Sequence, residues 1–365
     1  MVGHLKPLIC FYLDDQYIYS NNYVLHTCKP EQSVTEFLTS VESEFRKELK
    51  IVQVNFEFEN TALFNDKIEL YESDKASVFV LNQHEIMTEK QLFLKIPSTL
   101  TTLMHQFSPL ESKELFIEKI QAIKKEISEG RIYQVNLTAP LVSETNYTAE
   151  KIFKNYFEKF GGSYKALLPL PNYDLISFSP ELFLKKNQQK LKTQPIKGSL
   201  PQSSDFEKDL LKNEKEEAEL SMIVDLLRND LNRLEDEYSA KVNFHREALK
   251  LSYIQHTYSE IEIDTFKSLP QILEATLPGG SISGCPKLES LQVIAEQELY
   301  KRQAYAGTLG WWKDGNFCLN MTIRTFMKFK NQLFYHAGCG IVYDSDPEKE
   351  WDEFITKTGA LNVKR

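Results

Sequence analysis

The stretch Leu277-Pro278-Gly279-Gly280-Ser281-Ile282-Ser283-Gly284-Cys285-Pro286-Lys287 sets three glycines and two serines ahead of a proline placed to open a helix. Proline is tolerated in a first helical turn because its missing N–H would have no partner there. Free backbone N–H groups at such a junction, flanked by side chains too small to block approach, make a seat for a carboxylate. An ordinary turn would read the same way. The spacing fits neither a GxxxxGK[ST] phosphate loop nor a GxGxxG dinucleotide fingerprint. A second tight segment follows at Ala337-Gly338-Cys339-Gly340-Ile341-Val342. Between the two, the strand-like run Asn320–Phe326 places Arg324 on the same side as Asn320 and Thr322 by simple alternation. An inward guanidinium there would clamp a carboxylate; a surface arginine is the alternative.

Each glycine-rich segment has an acidic helix for company. Asn213-Glu214-Lys215-Glu216-Glu217-Ala218-Glu219 runs into Met222-Ile223-Val224-Asp225-Leu226-Leu227. Helical spacing puts Glu216 and Glu219 on the stripe of Ile223 and Leu226 or Leu227, an expensive place for acids unless a cation compensates them. The C-terminal helix repeats the arrangement with Glu350, Glu353 and Lys357 beside Trp351 and Phe354. A few hard oxygen ligands from two helices suit Mg²⁺, which keeps several waters and shares its shell with an anionic substrate. A solvated acidic face would explain either pair taken alone.

Elsewhere the chain reads as short strands alternating with helices. Residues 1 to about 107 hold strand-like runs such as Ile51–Phe56 and Ser77–Leu81 joined by polar connections, without a catalytic constellation. A helix is expected over Glu111–Glu129, stopped by Gly130. A strand over Ile132–Leu137, a helix over Ala149–Phe160 and a hairpin of Lys165–Leu170 with Leu175–Phe178 follow. A long charged helix covers Phe206–Leu234, strands dominate 238–263 and 305–343, and a helix closes the chain at Pro347–Leu361. This excess of strands over a strict βαβ alternation predicts mixed sheets flanked by helices, an α+β protein rather than a doubly wound one.

Composition narrows the classes further. In 365 residues, 42% are hydrophobic and 26% charged, the profile of a globular chain with a large core. The net charge of −9, with no Lys/Arg-rich block, argues against nucleic acid or anionic membrane as the main partner. The five cysteines, Cys10, Cys28, Cys285, Cys318 and Cys339, form no CxxC pair and suit a reducing cytoplasm. No run approaches the ~20 apolar residues of a membrane span, so a cytoplasmic protein is expected.

Taken in order, these segments resemble the chorismate-binding family, which includes anthranilate, aminodeoxychorismate, isochorismate and salicylate synthases. The likeness covers about residues 110–362. Its motifs are Gly130-Arg131-Ile132-Tyr133-Gln134-Val135-Asn136-Leu137, Ser179-Pro180-Glu181, Pro195-Ile196-Lys197-Gly198-Ser199, the MIVDLLRND run ending at Asp230, and His256-Thr257-Tyr258-Ser259. PGGSISGCPK, Ile323-Arg324-Thr325 and AGCGIVYDSDP with its trailing acids complete the set. The resemblance implies a four-layer α/β/β/α sandwich of two large packed sheets, with residues 1–107 completing the body and 108–365 forming the catalytic core. The LLES-type signature of tryptophan feedback is missing.

Two positions separate the members. Isochorismate and salicylate synthases carry a water-activating lysine where Gln134 stands; an amide cannot act as a base, so amination is favoured. Anthranilate synthases read Pro-Ile-Ala-Gly where this chain has Pro-Ile-Lys-Gly, the aminodeoxychorismate synthase pattern. An amine stripped of water or placed near charge becomes a nucleophile. By resemblance Lys197 attacks C2 of chorismate as the C4 hydroxyl leaves, Glu181 is the general acid that protonates that hydroxyl, and His256 lies near it. Glu219 and Glu353, with Glu216 and Glu350, would hold Mg²⁺ on the ring carboxylate. Gly198, Ser283, Tyr305, Ile323, Arg324, Gly338, Gly340 and Lys357 would bind substrate. Cys285 and Cys339 depart from the family pattern, and Cys339 is expected to narrow the carboxylate pocket. Ammonia would come from a separate glutaminase and a separate lyase would act downstream. The rivals are an anthranilate synthase component with Lys197 incidental, and a catalytically dead homologue that binds a glutaminase.

Overall fold

The computed structural model describes residues 6–12, 16–96, 105–201, 214–235, 239–250, 254–358 and 361–363; side chains at 198–201, 214–216, 249–250, 254–256 and 362 lie outside that description. The chain begins with strands β1 (Leu8–Phe11) and β2 (Gln16–Thr27), helix α1 (Val34–Glu44), strands β3 (Lys50–Val54) and β4 (Ala76–Thr88), and helix α2 (Glu89–Lys95). Next come β5 (Gln106–Pro109), α3 (Lys113–Ser128), β6 (Gln134–Glu144), α4 (Ala149–Tyr156), β7 (Tyr164–Pro169), β8 (Asp174–Ser179), β9 (Leu182–Asn187), β10 (Lys190–Gln194) and β11 (Ile196–Pro201). The remainder holds α5 (Glu214–Asn232), β12 (Lys241–Lys250), β13 (Ile254–Asp264), α6 (Leu269–Thr276), β14 (Gly284–Cys285) and α7 (Lys287–Gln297). Strands β15 (Thr308–Lys313), β16 (Asn316–Met321), β17 (Thr325–Phe329) and β18 (Gln332–Ile341) precede α8 (Pro347–Lys357) and β19 (Asn362–Val363).

Side-chain caps set several of these boundaries. Ser112 accepts from Leu115 N at the start of α3, and Asp346 accepts from Glu348 N and Lys349 N at the start of α8. Gly130, at φ 78°, takes the left-handed conformation that stops α3.

Hydrogen bonds link the strands into one network. From one end it runs β13–β10–β9–β16–β15–β3–β4, crosses to β2, and continues β1–β7–β8–β17–β18–β6. The β2–β4 ladder is the bridge: β4 pairs Val80 with Lys50 on one edge and Leu81 with Tyr23 on the other. The two expected sheets are thus two halves joined along their long strands.

Alternation explains how the halves pack. In β3, β15 and β16, Ile51, Leu309, Trp311 and Cys318 face a core shared with β1, β7 and β8. Their neighbours Val52, Val54, Trp312, Phe317 and Leu319 face a second core built with α1, α5 and α6. The first half is therefore buried on both faces, which explains its nearly continuous apolar strands. Trp311 Nε1 donates to Tyr12 O at 3.1 Å across the inner interface. On the outer side of the other half, Phe116 of α3 stacks on Phe354 of α8 at 5.0 Å and Phe153 of α4 on Phe178 of β8 at 5.5 Å. The result is a mixed α/β fold with helices outside a large double-layered sheet.

Three local readings change. Helices α1, α2 and α6 stand where only strands, connections or a loop were expected. The strand through Arg324 is broken: β16 ends at Met321, Ile323 N turns back onto Met321 O at 2.8 Å, and Arg324 sits at φ 51°. Alternation therefore does not govern its direction. The N-terminal part of the long charged helix, before residue 214, lies outside the described residues.

Candidate active site

Glu181 follows β8 directly, with its N–H on Ser179 Oγ at 3.2 Å and its carbonyl accepting from Met321 N at 3.1 Å. These bonds turn a buried carboxyl toward the glycine-rich loop, where Ser281 Oγ donates to Oε1 at 2.8 Å. Burial pushes the carboxyl up to about 7, while the Ser281 hydrogen bond and the charge of Lys197 pull the other way. A carboxylic acid near neutrality can give a proton to a leaving oxygen.

The loop is held from below by β6. Asn136 Nδ2 donates to Ser281 O at 2.8 Å and Asn136 N to Ser283 O at 2.9 Å. Ser283 is fully buried and spends its hydroxyl on Gly279 O at 2.9 Å, closing the loop on itself. At Gly284, φ is 151° and a Cβ would stand 2.3 Å from Gln134 O, so only glycine fits between loop and strand.

Lys197 lies on β11, opposite Thr257 of β13, whose Oγ1 donates to Lys197 O at 2.9 Å. The pairing slips by one residue between Lys197 and Leu200, a bulge that contains Gly198. Bulges re-aim side chains, and this lysine is half-buried with its charge acting on Glu181. His256 pairs through its backbone with Leu249, and its side chain lies outside the described residues.

A second group gathers on the β6–β18 ladder. Gln134 is buried, and a Cβ at Gly340 would lie 2.7 Å from its Nε2, so the absence of a side chain there makes room for the amide. Lys357 Nζ donates to Gly338 O at 3.1 Å. Tyr305, buried with its hydroxyl pushed up to about 12, stacks on His336 at 5.2 Å. Arg324 points inward and donates to Phe160 O at 3.2 Å, while Ile323 is half-buried where the two cores meet. Cys339 is buried beneath α8, its thiol 3.7 Å from Glu350 O and close enough to Lys357 for the two charges to act on each other.

The candidate metal ligands divide between α5 and α8. Glu219 is half-exposed, Glu350 is buried and accepts from Ser345 Oγ at 2.7 Å, and Glu353 pairs with Lys357 at 2.8 Å. The Glu216 side chain is outside the described residues, and among those described no three His, Cys, Asp or Glu groups converge. The donor chemistry, carboxylate oxygens only, fits Mg²⁺.

Sequence reading missed two buried ion pairs that fix this scaffold. Arg302 Nη2 lies 2.7 Å from Glu298 Oε1 and also reaches Asn136 O at 2.6 Å, while Arg302 Nη1 donates to Ile282 O at 2.7 Å. Glu298 in turn accepts from Thr138 N at 2.8 Å. Lys287 reaches Asp230 at 2.5 Å and Thr276 O at 2.9 Å, tying α7 to α5 and α6 beside the loop. A Glu-x-x-x-Arg spacing was the available signal for the first pair; nothing local announced the second.

The model of the chorismate binding enzyme family matches residues 29–362. Anthranilate synthase component 1 of Haloarcula marismortui is 34% identical over 259 residues, 68% of this chain and 53% of that protein. Aminodeoxychorismate synthase component 1 of Bacillus subtilis is 34% identical over 255 residues, 67% of this chain and 54% of that protein. The chain thus spans about half the length of these relatives. The crystal structure of anthranilate synthase component I from Streptococcus pneumoniae superposes with a TM-score of 0.80 at 23% identity, covering 98% of this chain and 91% of that one. MenF, the menaquinone-specific isochorismate synthase of Escherichia coli, gives a TM-score of 0.77 at 17% identity over 99% of this chain and 89% of its own. With a family match spanning nearly the whole sequence and the motif residues grouped around Glu181 and the β6–β18 glycines, the chain belongs to the chorismate-binding enzyme family.

Proposed function

We propose that the chain aminates chorismate as component I of an aminodeoxychorismate synthase. One observation carries the choice: a lysine occupies the Pro-Ile-Lys-Gly bulge of β11, with its charge acting on the buried Glu181 carboxyl. A nucleophile and an acid acting on one substrate suit displacement of a hydroxyl. Lys197, as the free amine, adds to C2 of chorismate while the C4 hydroxyl departs as water with the Glu181 proton. Ammonia then adds at C4 and the lysine amine is expelled from C2, leaving 4-amino-4-deoxychorismate with its pyruvyl ether intact. Gln134 offers no base for water, which favours amination over hydration.

Arg324, Tyr305, Lys357 and the Gly338–Gly340 backbone would orient the two substrate carboxylates. Mg²⁺ held by Glu219 and Glu353, with Glu216 and Glu350, would neutralise and polarise the ring carboxylate. A separate glutaminase would supply ammonia, and a separate lyase would release p-aminobenzoate in the cytoplasm. No described helix is long and apolar enough to cross a membrane.

Anthranilate synthase component I remains the second reading, because a relative of that name matches as strongly as the aminodeoxychorismate synthase. Incubation of the purified chain with chorismate, Mg²⁺ and ammonium distinguishes them. The native protein should yield aminodeoxychorismate and Lys197→Ala very little. Anthranilate formed without added lyase would overturn the choice.

A further inference from the structure

Ser281 does not touch the reacting atoms in any reading so far, yet its hydroxyl is buried and committed to Glu181. It donates to Oε1 at 2.8 Å, and while that bond stands the proton of the neutral acid is favoured on Oε2. Ser281 is itself fixed. Its carbonyl accepts from Asn136 Nδ2 at 2.8 Å, and Asn136 O is gripped by Arg302 at 2.6 Å. Arg302 also holds Ile282 O, the next residue of the loop, at 2.7 Å. One buried ion pair therefore braces both the loop and the strand beneath it.

We infer that Ser281 is a positioning residue for Glu181, directing the acid's proton onto Oε2 and toward the substrate, with Asn136 and Arg302 holding Ser281 in place. The inference rests on Glu181 being the acid of the proposed reaction. Among the described residues, the groups facing the carboxyl are Ser281 from the loop and Lys197 from β11, while Ser179 and Met321 engage the Glu181 backbone. A hydroxyl donating to the ionised carboxylate stabilises it, so its removal must raise the midpoint at which Glu181 titrates. A residue that merely filled space would leave that midpoint unchanged.

The test uses the full chain without ligand. The Glu181 carboxyl band is followed by infrared difference spectroscopy against Glu181→Gln, in the native protein, Ser281→Ala and Ser281→Thr. Ser281→Ala should raise the midpoint by roughly one unit, as expected for loss of a hydrogen bond to a charged group. It should also lower kcat for chorismate consumption by about tenfold with KM nearly unchanged. Ser281→Thr, which keeps the hydroxyl, should restore both. Asn136→Ala, which cuts the tether and spares the hydroxyl, should fall between them and serves if Ser281→Ala does not fold. An unshifted midpoint in Ser281→Ala, or in Asn136→Ala when that variant is used, overturns the inference whatever product is formed. A shifted midpoint with no aminated product overturns the proposed reaction and leaves the Ser281–Glu181 relationship standing.

Discussion

Lys287 Nζ lies 2.5 Å from Asp230 Oδ2, and both side chains are almost fully withdrawn from water. Burial pushes the aspartate up and the lysine down, toward their neutral forms, and each opposes that drift in the other. Removing one partner strands a buried charge, at a cost of about 3–5 kcal/mol. Lys287→Met and Asp230→Asn should each lose stability on that scale in urea unfolding. The double variant should recover a large part of the loss.

Glu181 gives the protein a pH dependence of definite sign. Its carboxyl titrates at about 7 when folded, against an ordinary value of 4.5. Between those values the native state keeps a proton that the unfolded chain has released. Stability from this group is therefore present in acid and lost as pH rises through about 7. Glu181→Gln should match the native protein near pH 4 and exceed it at pH 8 by up to ~3 kcal/mol, at ~1.4 kcal/mol per unit. Chorismate turnover should fall over the same rise as the acid form disappears.

His336 should act in the opposite direction. Its ring is buried, neither nitrogen has a hydrogen-bond partner among the described residues, and burial with nearby Arg302 lowers it from 6.5 to about 3. Below pH 6.5 the unfolded chain takes up a proton that the native ring refuses, so stability is present above that value and lost as acid is added. His336→Phe keeps a ring against Tyr305 and removes the titration. Its unfolding free energy should decline less between pH 7 and pH 5 than that of the native protein.

The proposed Mg²⁺ site can be tested without turnover. Glu353 is engaged by Lys357 at 2.8 Å, so an ion must compete with that ammonium. Calorimetric titration with Mg²⁺ should show weaker binding in Glu219→Gln and tighter binding in Lys357→Met. Equal affinity in all three proteins would place the ion elsewhere.

The sequence was most legible where local chemistry was strong. Helix α3 followed from its apolar spacing and from Gly130, and the β7–β8 hairpin from two apolar runs around Pro171-Asn172-Tyr173. Helices α1 and α2 were lost because they are short and lie between strand-like segments. Ordered motifs pointed to Glu181 and Lys197. What they could not reveal was Arg302 under Asn136, since those residues are 166 positions apart and meet only after folding. The backbone turn at Ile323 was the other blind spot: it ends the strand before Arg324, which reaches the interior from a left-handed residue rather than by alternation.

The β2–β4 bridge bears on how this protein can be cut and how it must fold. Strands from the first hundred residues sit in the middle of the network, between β15 on one flank and β7 on the other. Trimming the chain to its motif-bearing part would bare the long edges of both β15 and β7, each a template for pairing with another molecule. Such a fragment should aggregate rather than report on catalysis. The same wiring makes the first strands wait for partners synthesised more than a hundred residues later, so folding should be slow and the nascent chain in need of protection.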